Sequence, residues 1–444
     1  MRYFIAILLM GLIVAGNAHA TTITEVTSKG GIKAWLVEDH KLPLIAAEFA
    51  FRGGVEQDPV DKQGLAHLTM GLLTEGAGAY DAATFQQEMA DHSIILRFGA
   101  SRDVLMGSVK CLSEEKAKAF ELLHLAVTAP HFDKSEVERL RSQQLSGLKG
   151  QLGNPDWQAR YALFSQIFAT HPYGFRSLGS IQSLSSLTEK DIKGFAAAHL
   201  AQDNLVIAVA GDITPVELAP LLDQVFGQLP KKAQLAKIGE VVWPAKPATI
   251  LVPREGTQTE FLFTMPGPKR EDPDWYAAEI ADYILGSGGF SSRLMHDVRD
   301  EKGLTYDIHT GLSPMDYAGV LIGEAAADND KVGQAWAIAL ETMRGFYKDG
   351  ATDKEIASAK DYLTGALPLV MTSTDKIAGV LVDLQLKSLP RDYLDHRNDY
   401  LRNVTKEDVT RVIHKWFNPD GLTLSMVGKP DGMKSTETKD LVHN

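Results

Sequence analysis

The thirteen histidines are the side chains best suited to hold a metal or to act as a general base at neutral pH. A metal site on one helix needs ligands three or four positions apart, because that spacing puts both on the same helical face. No two histidines have this spacing, and Pro130 separates His124 from His131. The G-x-S-x-G sequence of a serine nucleophile is also absent. The sequence therefore contains neither a paired-histidine metal site nor a nucleophile elbow.

One glycine-rich segment, GSGGFSSR at 286–293, has the composition of a phosphate-binding loop. It follows a predicted helix at 275–285 rather than a strand, and it lacks the G-K-[ST] ending that reaches the phosphates. We therefore do not interpret it as a nucleotide site.

These residues are carried by two halves of the chain that repeat one plan. The sequence LTEKDI at 187–192 recurs as VTKEDV at 404–409, 217 positions later, and both resemble a helix start with a capping threonine. The same offset relates Gly211 to Gly428, each of which ends a short apolar run typical of a strand. In both halves strands precede and follow a helical block, which predicts an α+β fold of two homologous lobes.

The predicted boundaries follow from these patterns and from composition. A stretch containing proline and lysine lies between the repeats and is suited to a linker, and the residues after Pro430 are polar and predicted to be loose. We expect a signal peptide at 1–20, a first lobe at 21–227, a linker at 228–247, a second lobe at 248–432 and a polar tail at 433–444.

The first twenty residues predict export. Arg2 precedes an apolar run from 5 to 15, and Ala18 and Ala20 form the small-x-small pattern of a cleavage site. The run is shorter than the roughly 20 residues that span a membrane. We therefore expect the mature protein outside the cytoplasm, in the periplasm.

Composition sets further limits on function. The formal net charge of −12 argues against nucleic acid as a partner, because phosphates require a basic surface. Hydrophobic residues make up 44% of the chain, enough for a sizeable core. Cys111 is the single cysteine and follows an alternating stretch at 104–110, so we interpret it as a small core residue.

Residues 63–73 read QGLAHLTMGLL and follow FRGGVEQD at 51–58. This region resembles the metal-binding region of the pitrilysin-type (insulinase-like) peptidases, in which a strand end leads into a helix carrying the inverted zinc motif H-x-x-E-H. The matching positions here are His67, Met70 and Gly71, so the general base and the second ligand are replaced. The resemblance puts the third ligand, a glutamate, near 141–150, where no acidic residue occurs. We therefore expect no metal in this chain and interpret His67 as a helix residue hydrogen-bonded in or near the core.

The second half keeps another part of the resemblance. Residues 288–295 read GGFSSRLM and 298–306 read VRDEKGLTY, which resembles the second-lobe signature of the family. There an arginine and a tyrosine seven positions apart reach a zinc site, and Arg299 and Tyr306 have that spacing. A tyrosine hydroxyl can donate to a developing oxyanion, and an arginine can hold a substrate carbonyl or carboxylate. The preceding residues Gly288, Gly289, Ser291 and Ser292 are predicted to contact substrate.

The resemblance implies two lobes, each a mostly antiparallel sheet packed with helices, as in pitrilysin and the mitochondrial processing peptidases. It also implies a partner, namely a homologous chain with an intact H-x-x-E-H that carries the zinc and forms with this chain a chamber for unfolded peptides. The leading hypothesis is a non-catalytic subunit of such a peptidase. A zinc-free peptide-binding or scaffold homodimer is the alternative from another class, and a lone peptidase with an unrecognised metal site is a third.

Overall fold

The computed structural model describes residues 22–366 and 371–441. The predicted signal peptide, 1–20, lies outside the described residues. Within the described ranges, no helix has the length and apolar character needed to cross a membrane.

Each half builds one sheet and a set of helices. The strands of the first half are β1 (Thr24–Thr27), β2 (Lys33–Glu38), β3 (Leu44–Arg52), β4 (Ile95–Ala100), β5 (Val104–Leu112) and β6 (Leu205–Gly211). Its helices are α1 (Leu65–Leu72), α2 (Ala82–Asp91), α3 (Lys116–Thr128), α4 (Lys134–Leu152), α5 (Pro155–Ile167), α6 (Ile181–Ser186), α7 (Glu189–His199) and α8 (Pro215–Phe226).

The second half follows the same plan. Its strands are β7 (Thr249–Pro253), β8 (Gln258–Pro266), β9 (Ile308–Pro314), β10 (Gly319–Asp328), β11 (Thr423–Gly428) and β12 (Glu437–Thr438). Its helices are α9 (Trp275–Asp282), α10 (Val332–Asp349), α11 (Asp353–Gly365), α12 (Thr374–Leu386), α13 (Tyr393–Asn403) and α14 (Lys406–Trp416). Two π-helical segments, Tyr283–Ser287 and Met295–Asp300, flank the glycine-rich segment.

The two sheets have matching strand orders, β1-β2-β6-β3-β5-β4 and β12-β7-β11-β8-β10-β9. Both are mixed but mostly antiparallel, with one parallel pair, β2 and β6, in the first and two, β7 with β11 and β7 with β12, in the second. The predicted α+β fold of two homologous lobes is therefore confirmed.

The repeat extends to individual side chains. Phe49 lies opposite Gly107 in the first sheet, and Phe263 lies opposite Gly323 in the second. A β-carbon added to either glycine would come within 2.1 Å of the ring facing it, so each ring packs directly on backbone. The two predicted capping threonines also form capping boxes at the starts of α7 and α14.

The halves exchange one helix each. Helix α5 of the first half packs on the second sheet, where Ala159 and Leu163 cluster with Leu262 and Val427. Helix α12 of the second half packs reciprocally on β3 and β6 of the first sheet. Each sheet is therefore covered on one face by its own helices and on the other by a helix of the other half. Strands buried on both faces need continuous apolar runs, which explains the sequences of β6 and β11.

The chain between α8 and β7 contains no helix or strand. The tail after Pro430 is not loose, however. Strand β12 pairs in parallel with β7, and Leu441 is buried in the cluster around α5. The main-chain pairing of β12 and the buried side chain of Leu441 therefore hold in place a segment that its polar composition had predicted to be loose. Cys111 is a buried core residue as predicted, and burial raises the pKa of its thiol to about 12.

Candidate functional site

The helix with the degenerate zinc motif, α1, is fixed at its first residue by a buried carboxylate. Asp58 accepts backbone hydrogen bonds from Gly64 at 2.8 Å and from Ala66 at 2.9 Å. Gly64 has a φ of +91°, a left-handed conformation that glycine adopts without strain. These contacts turn the chain from the end of β3 into α1 without a metal.

The three motif positions lie together on α1, but they do not form a ligand set. His67 is half-buried, and burial lowers the pKa of its imidazole. Met70 is only 1% exposed and belongs to the first hydrophobic core, and Gly71 faces Leu140 of α4. The prediction that His67 lies near the core is confirmed. The predicted hydrogen bond to its ring is wrong, since among the described residues its imidazole has no hydrogen-bond partner.

The segment expected to carry the third ligand lies on α4, which packs against α1. Its side chains now fasten α4 to neighbouring segments. Gln144 donates to the carbonyls of Gly64 and Leu178, both at 3.0 Å. Arg141, which is buried, donates to the carbonyl of Leu187 at 2.9 Å. These polar groups take the place of a metal ligand with contacts that hold the helices together.

Zinc does not fit this arrangement. Catalytic zinc takes three protein ligands, commonly histidines and a carboxylate. Of the positions that the resemblance assigns, only His67 still has one of the side chains that zinc commonly takes. Within 22–366 and 371–441, no group of three or more His, Cys, Asp or Glu side chains could hold a metal ion.

A cavity of about 350 Å³ lies beside His67. Its walls include three arginines and three aromatic side chains that the sequence interpretation did not single out: Arg102, Arg160, Arg176, Trp157, Tyr161 and Phe164. Four of these occupy α5 at the spacing i, i+3, i+4, i+7, which is the signature of one helical face. That spacing was readable in the sequence, but nothing in it indicated that this face borders α1.

Glu56 is the acidic side chain beside this cavity. Its carboxylate accepts the backbone N–H of Gly54 at 2.8 Å and an amide N–H of Gln57 at 3.2 Å. Burial raises the pKa of Glu56 to about 7. Glu56 therefore carries only part of a negative charge near neutrality.

In the second half, Arg299 lies at the end of the π-helical segment Met295–Asp300. Gly303, with a φ of +60°, ends this helix as predicted. The guanidinium of Arg299 lies 4.6 Å from the centre of the Phe290 ring. Phe290 is 67% exposed, so this cation–π contact lies at the surface and fixes the direction of the arginine.

Tyr306 is not in a strand. The predicted strand at 304–310 begins only at Ile308, and Tyr306 belongs to the preceding irregular segment. Thr305, which donates to the carbonyls of Asp307 and Ala326, uses its hydroxyl to hold that segment in place. Tyr306 is 83% exposed and lines a cavity of about 380 Å³ together with Arg299. The structure thus brings Arg299 and Tyr306 to one cavity.

The four predicted substrate contacts differ in position. Gly289 and Ser291 are exposed and Gly288 is half-buried. Ser292 is buried, and its hydroxyl donates to the carbonyl of Gly289 at 2.7 Å. Ser292 therefore stabilises the turn and cannot reach a ligand. The contacts predicted for the other three residues stay predictions.

The cavity beside His67 and the cavity beside Tyr306 share no lining residue. The positions on α1 and the pair in the second half therefore form two separate sites in this chain. The geometry defines a two-lobed peptidase fold whose own metal site has been replaced by core packing and helix contacts.

Comparison with known proteins agrees with this description. Residues 36–175 match the sequence profile of the insulinase family, peptidase family M16, and residues 186–363 match that of the peptidase M16 inactive domain. The chain belongs to peptidase family M16. Three of the four groups of the family's zinc site are replaced in this chain.

Several relatives align over most of their length. The non-peptidase homolog YmxG of Helicobacter pylori is 23% identical over 96% of this chain and 98% of its own. An uncharacterized zinc protease of Mycobacterium leprae is 23% identical over 90% of this chain and 91% of its own.

Solved structures show the same fold. The peptidase M16 inactive domain from Pseudomonas fluorescens has a TM-score of 0.86 and 29% identity, covering 94% of this chain and 99% of that one. A protease from Helicobacter pylori has a TM-score of 0.82 at 18% identity, covering 92% of this chain and all of that one, and supports the fold alone.

Proposed function

We propose that this chain is the non-catalytic subunit of an exported M16 peptidase. Its partner is a homologous chain with an intact H-x-x-E-H motif, which holds the zinc and the general base. This chain supplies half of the wall of a peptide-binding chamber and contributes Arg299 and Tyr306 to the active site of the partner.

The exposure of Tyr306 carries the proposal. An aromatic residue that serves packing is normally buried, yet 83% of this side chain is accessible. It lies on the same cavity as Arg299, whose guanidinium is held over Phe290. An arginine and an accessible phenol at one cavity are suited to a ligand, and the described residues contain no metal-ligand cluster of their own.

The two groups have complementary roles in peptide hydrolysis. Attack on a peptide carbonyl creates an oxyanion, and the Tyr306 hydroxyl can donate a hydrogen bond at the point where this charge develops. The Arg299 guanidinium offers a planar fork of donors to a substrate carbonyl. The zinc and the base are the partner's contribution.

Reconstitution with the partner tests the proposal. The purified chain alone should cleave no peptide and hold no stoichiometric zinc, whereas the mixture with its zinc-bearing homologue should cleave an unfolded peptide. Tyr306→Phe in the mixture should lower kcat by roughly 10²-fold or more, the typical loss for one oxyanion donor. Arg299→Ala should lower kcat/KM.

Tyr400→Phe and Arg344→Ala are matched controls, because both residues are exposed and lie outside this cavity. If Arg299→Ala and Tyr306→Phe behaved like these controls, the role in the partner's active site would be wrong. A stable homodimer with no zinc-bearing homologue in the native complex would favour the alternative, a peptide-binding scaffold. Native mass spectrometry with metal analysis separates these outcomes.

Export to the periplasm is part of the proposal and is supported by the apolar segment at 5–15 followed by Ala18 and Ala20. The intact mass of the protein isolated from a periplasmic fraction should correspond to a chain beginning at Thr21. A full-length mass in the cytoplasmic fraction would contradict export.

A further inference from the structure

The cavity beside His67 has the chemistry of an anion site. The rings of Trp157 and Tyr161 stack in parallel with their centroids 5.1 Å apart, and the guanidinium of Arg176 lies 4.8 Å from the centre of the Tyr161 ring. Aromatic rings and guanidinium groups therefore both line this cavity.

Arg102 is the central group of this cavity. It lies in the turn between β4 and β5, and this turn is fixed because the backbone N–H of Glu56 donates to the Arg102 carbonyl at 3.1 Å. Its guanidinium donates to the carbonyl of Tyr173 at 2.7 Å and lies 5.0 and 5.1 Å from the ring centres of Phe164 and Tyr173. Both the backbone and the guanidinium of Arg102 are therefore held in place before any ligand arrives.

Arg102 has no ion-pair partner. Among the described residues no carboxylate oxygen lies within 4.0 Å of its guanidinium. Burial lowers the pKa of Arg102 and the charge of Arg160 acts in the same direction, whereas the nearby charges of Asp103 and Glu56 act against it. A guanidinium carries five N–H donors, and a desolvated cation without a directly bonded carboxylate is costly. An anion bound in the cavity would relieve this cost.

The remaining charges favour a negative ligand. Arg160 reaches the cavity from α5 and is held at 2.6 Å by Glu324 of the second sheet. Glu56 is the only carboxylate among the described lining residues, and burial raises its pKa to about 7. Among the described residues the lining therefore has three guanidinium groups and one carboxylate, and Glu324, outside the lining, pairs with Arg160. This excess of positive groups lies in a protein whose overall charge is −12.

We propose that this cavity binds the carboxylate of a peptide, with Arg102 and Arg160 holding the carboxylate and the rings of Trp157, Tyr161 and Phe164 holding an adjacent apolar side chain. A volume of about 350 Å³ accommodates such a terminal residue. The planar fork of an arginine matches a carboxylate with two parallel hydrogen bonds. The inference rests on the proposed function only for the identity of the ligand as a peptide. The carboxylate comes from the peptide C-terminus or from an acidic side chain, and the two sources are separated by experiment.

Calorimetry on the mature chain alone tests the site, without the partner and without zinc. Three N-acetylated octapeptides of otherwise equal sequence serve as probes: one ends in a free-acid phenylalanine, one ends in phenylalanine amide, and one is the amide with an internal glutamate. The free acid should bind about tenfold more tightly than the amide without glutamate, as expected for gaining a charge-assisted hydrogen-bonded pair. If the glutamate-containing amide binds as tightly as the free acid, the glutamate side chain is a source of the carboxylate.

Substitutions test whether Arg102 and Arg160 cause the tighter binding of the free-acid peptide. Arg102→Gln and Arg160→Gln should each reduce the preference for the acid, and Arg102→Lys should keep part of it. Arg139→Gln should leave it unchanged, because Arg139 is an exposed residue of α4 outside this cavity. Thermal unfolding of each variant shows whether it is folded, and Arg160→Gln keeps the test decisive if Arg102→Gln unfolds.

Equal affinity of all three peptides for the wild-type chain would overturn the inference, as would an equal loss in Arg139→Gln. These results are distinct from those for the proposed function. Failure of the partner to restore cleavage would leave the acid preference of the isolated chain intact, and loss of that preference would leave restored cleavage intact.

Discussion

The Arg52 guanidinium lies 2.7 Å from the carbonyl oxygen of Leu386, joining the end of β3 to the last residue of α12. It also donates to the carbonyl of Gln385 at 3.0 Å. The last carbonyls of a helix lack hydrogen-bond partners within the helix and carry partial negative charge. A half-buried cation at this end therefore stabilises the helix. Arg52 belongs to the strand end that in the zinc-bearing motif precedes the metal helix, and here it fastens the exchanged helix of the other half.

Arg52→Ala should therefore destabilise the whole chain. It removes two charge-assisted hydrogen bonds and leaves helix-end carbonyls half-buried, which should lower the free energy of unfolding by about 2 kcal/mol. Urea unfolding measures this difference. Arg139→Ala, which breaks only exposed ion pairs with Glu75 and Glu136, should cost less than about 1 kcal/mol. Equal effects of the two variants would show that Arg52 does not join the halves.

The glycines opposite Phe49 and Phe263 should tolerate no side chain. Gly107→Ala puts a methyl group 2.1 Å from the Phe49 ring, and overpacking of this kind costs about 1–3 kcal/mol. Gly99→Ala is the matched control, because it lies on the adjacent strand and its added methyl meets nothing within 4 Å. Thermal unfolding should show a lower melting temperature for Gly107→Ala than for Gly99→Ala. Phe49→Leu combined with Gly107→Ala should recover part of the loss, and no recovery would argue against the ring as the cause.

Restoring the glutamate of the zinc motif at position 70 should destabilise the fold. Met70 is 1% exposed in the first core, so Met70→Glu places a carboxyl group among apolar side chains and should destabilise by about 3 kcal/mol or more, or unfold the chain. Met106→Glu is the control, because Met106 is 43% exposed on β5. Urea unfolding and far-UV circular dichroism measure both. A Met70→Glu chain as stable as Met106→Glu would mean that α1 can turn this position toward a cavity.

Tyr306→Phe should not change stability. The side chain is exposed, so loss of its hydroxyl should alter the free energy of unfolding by less than about 0.5 kcal/mol. Tyr173→Phe should behave differently, because that buried hydroxyl donates to Asp103 and accepts the backbone N–H of Tyr317 at 3.1 Å. We expect a loss of about 1–3 kcal/mol there, since the partner groups are left unsatisfied. Thermal unfolding of both variants would thus separate a ligand-facing tyrosine from a structural one.

The repeated plan was predictable from sequence because local chemistry determines it. The capping boxes at Thr188 and Thr405 and the helix end at Gly303 depend only on neighbouring residues, so their spacing indicates them directly. The exchange of α5 and α12 was not predictable, because an apolar helical face does not specify which sheet it will cover. For the same reason the cavity beside His67 remained hidden, although the spacing of Trp157, Arg160, Tyr161 and Phe164 was visible.

Stability should fall as the pH rises above neutrality, and His309 should account for part of the fall. Hydrogen bonds to Glu324 and Asp307 raise the pKa of His309 to about 9. A pKa raised above the ordinary value near 6.5 means that folding favours the protonated ring. Its stabilising contribution is therefore complete below about pH 6.5 and is lost as the pH passes through 9.

His309→Gln should flatten this dependence. Since the ring is 43% exposed, solvent screening reduces the expected difference between wild type and variant to about 1 kcal/mol across pH 6.5 to 9.5. Urea unfolding at several pH values within this range measures it. Other titrating groups, such as Glu48 and Glu260, are common to both proteins and cancel in the comparison. His414→Gln removes an exposed histidine without a carboxylate partner among the described residues, and it should keep the wild-type slope. An unchanged slope in His309→Gln would show that the ion pairs of His309 do not contribute to folding.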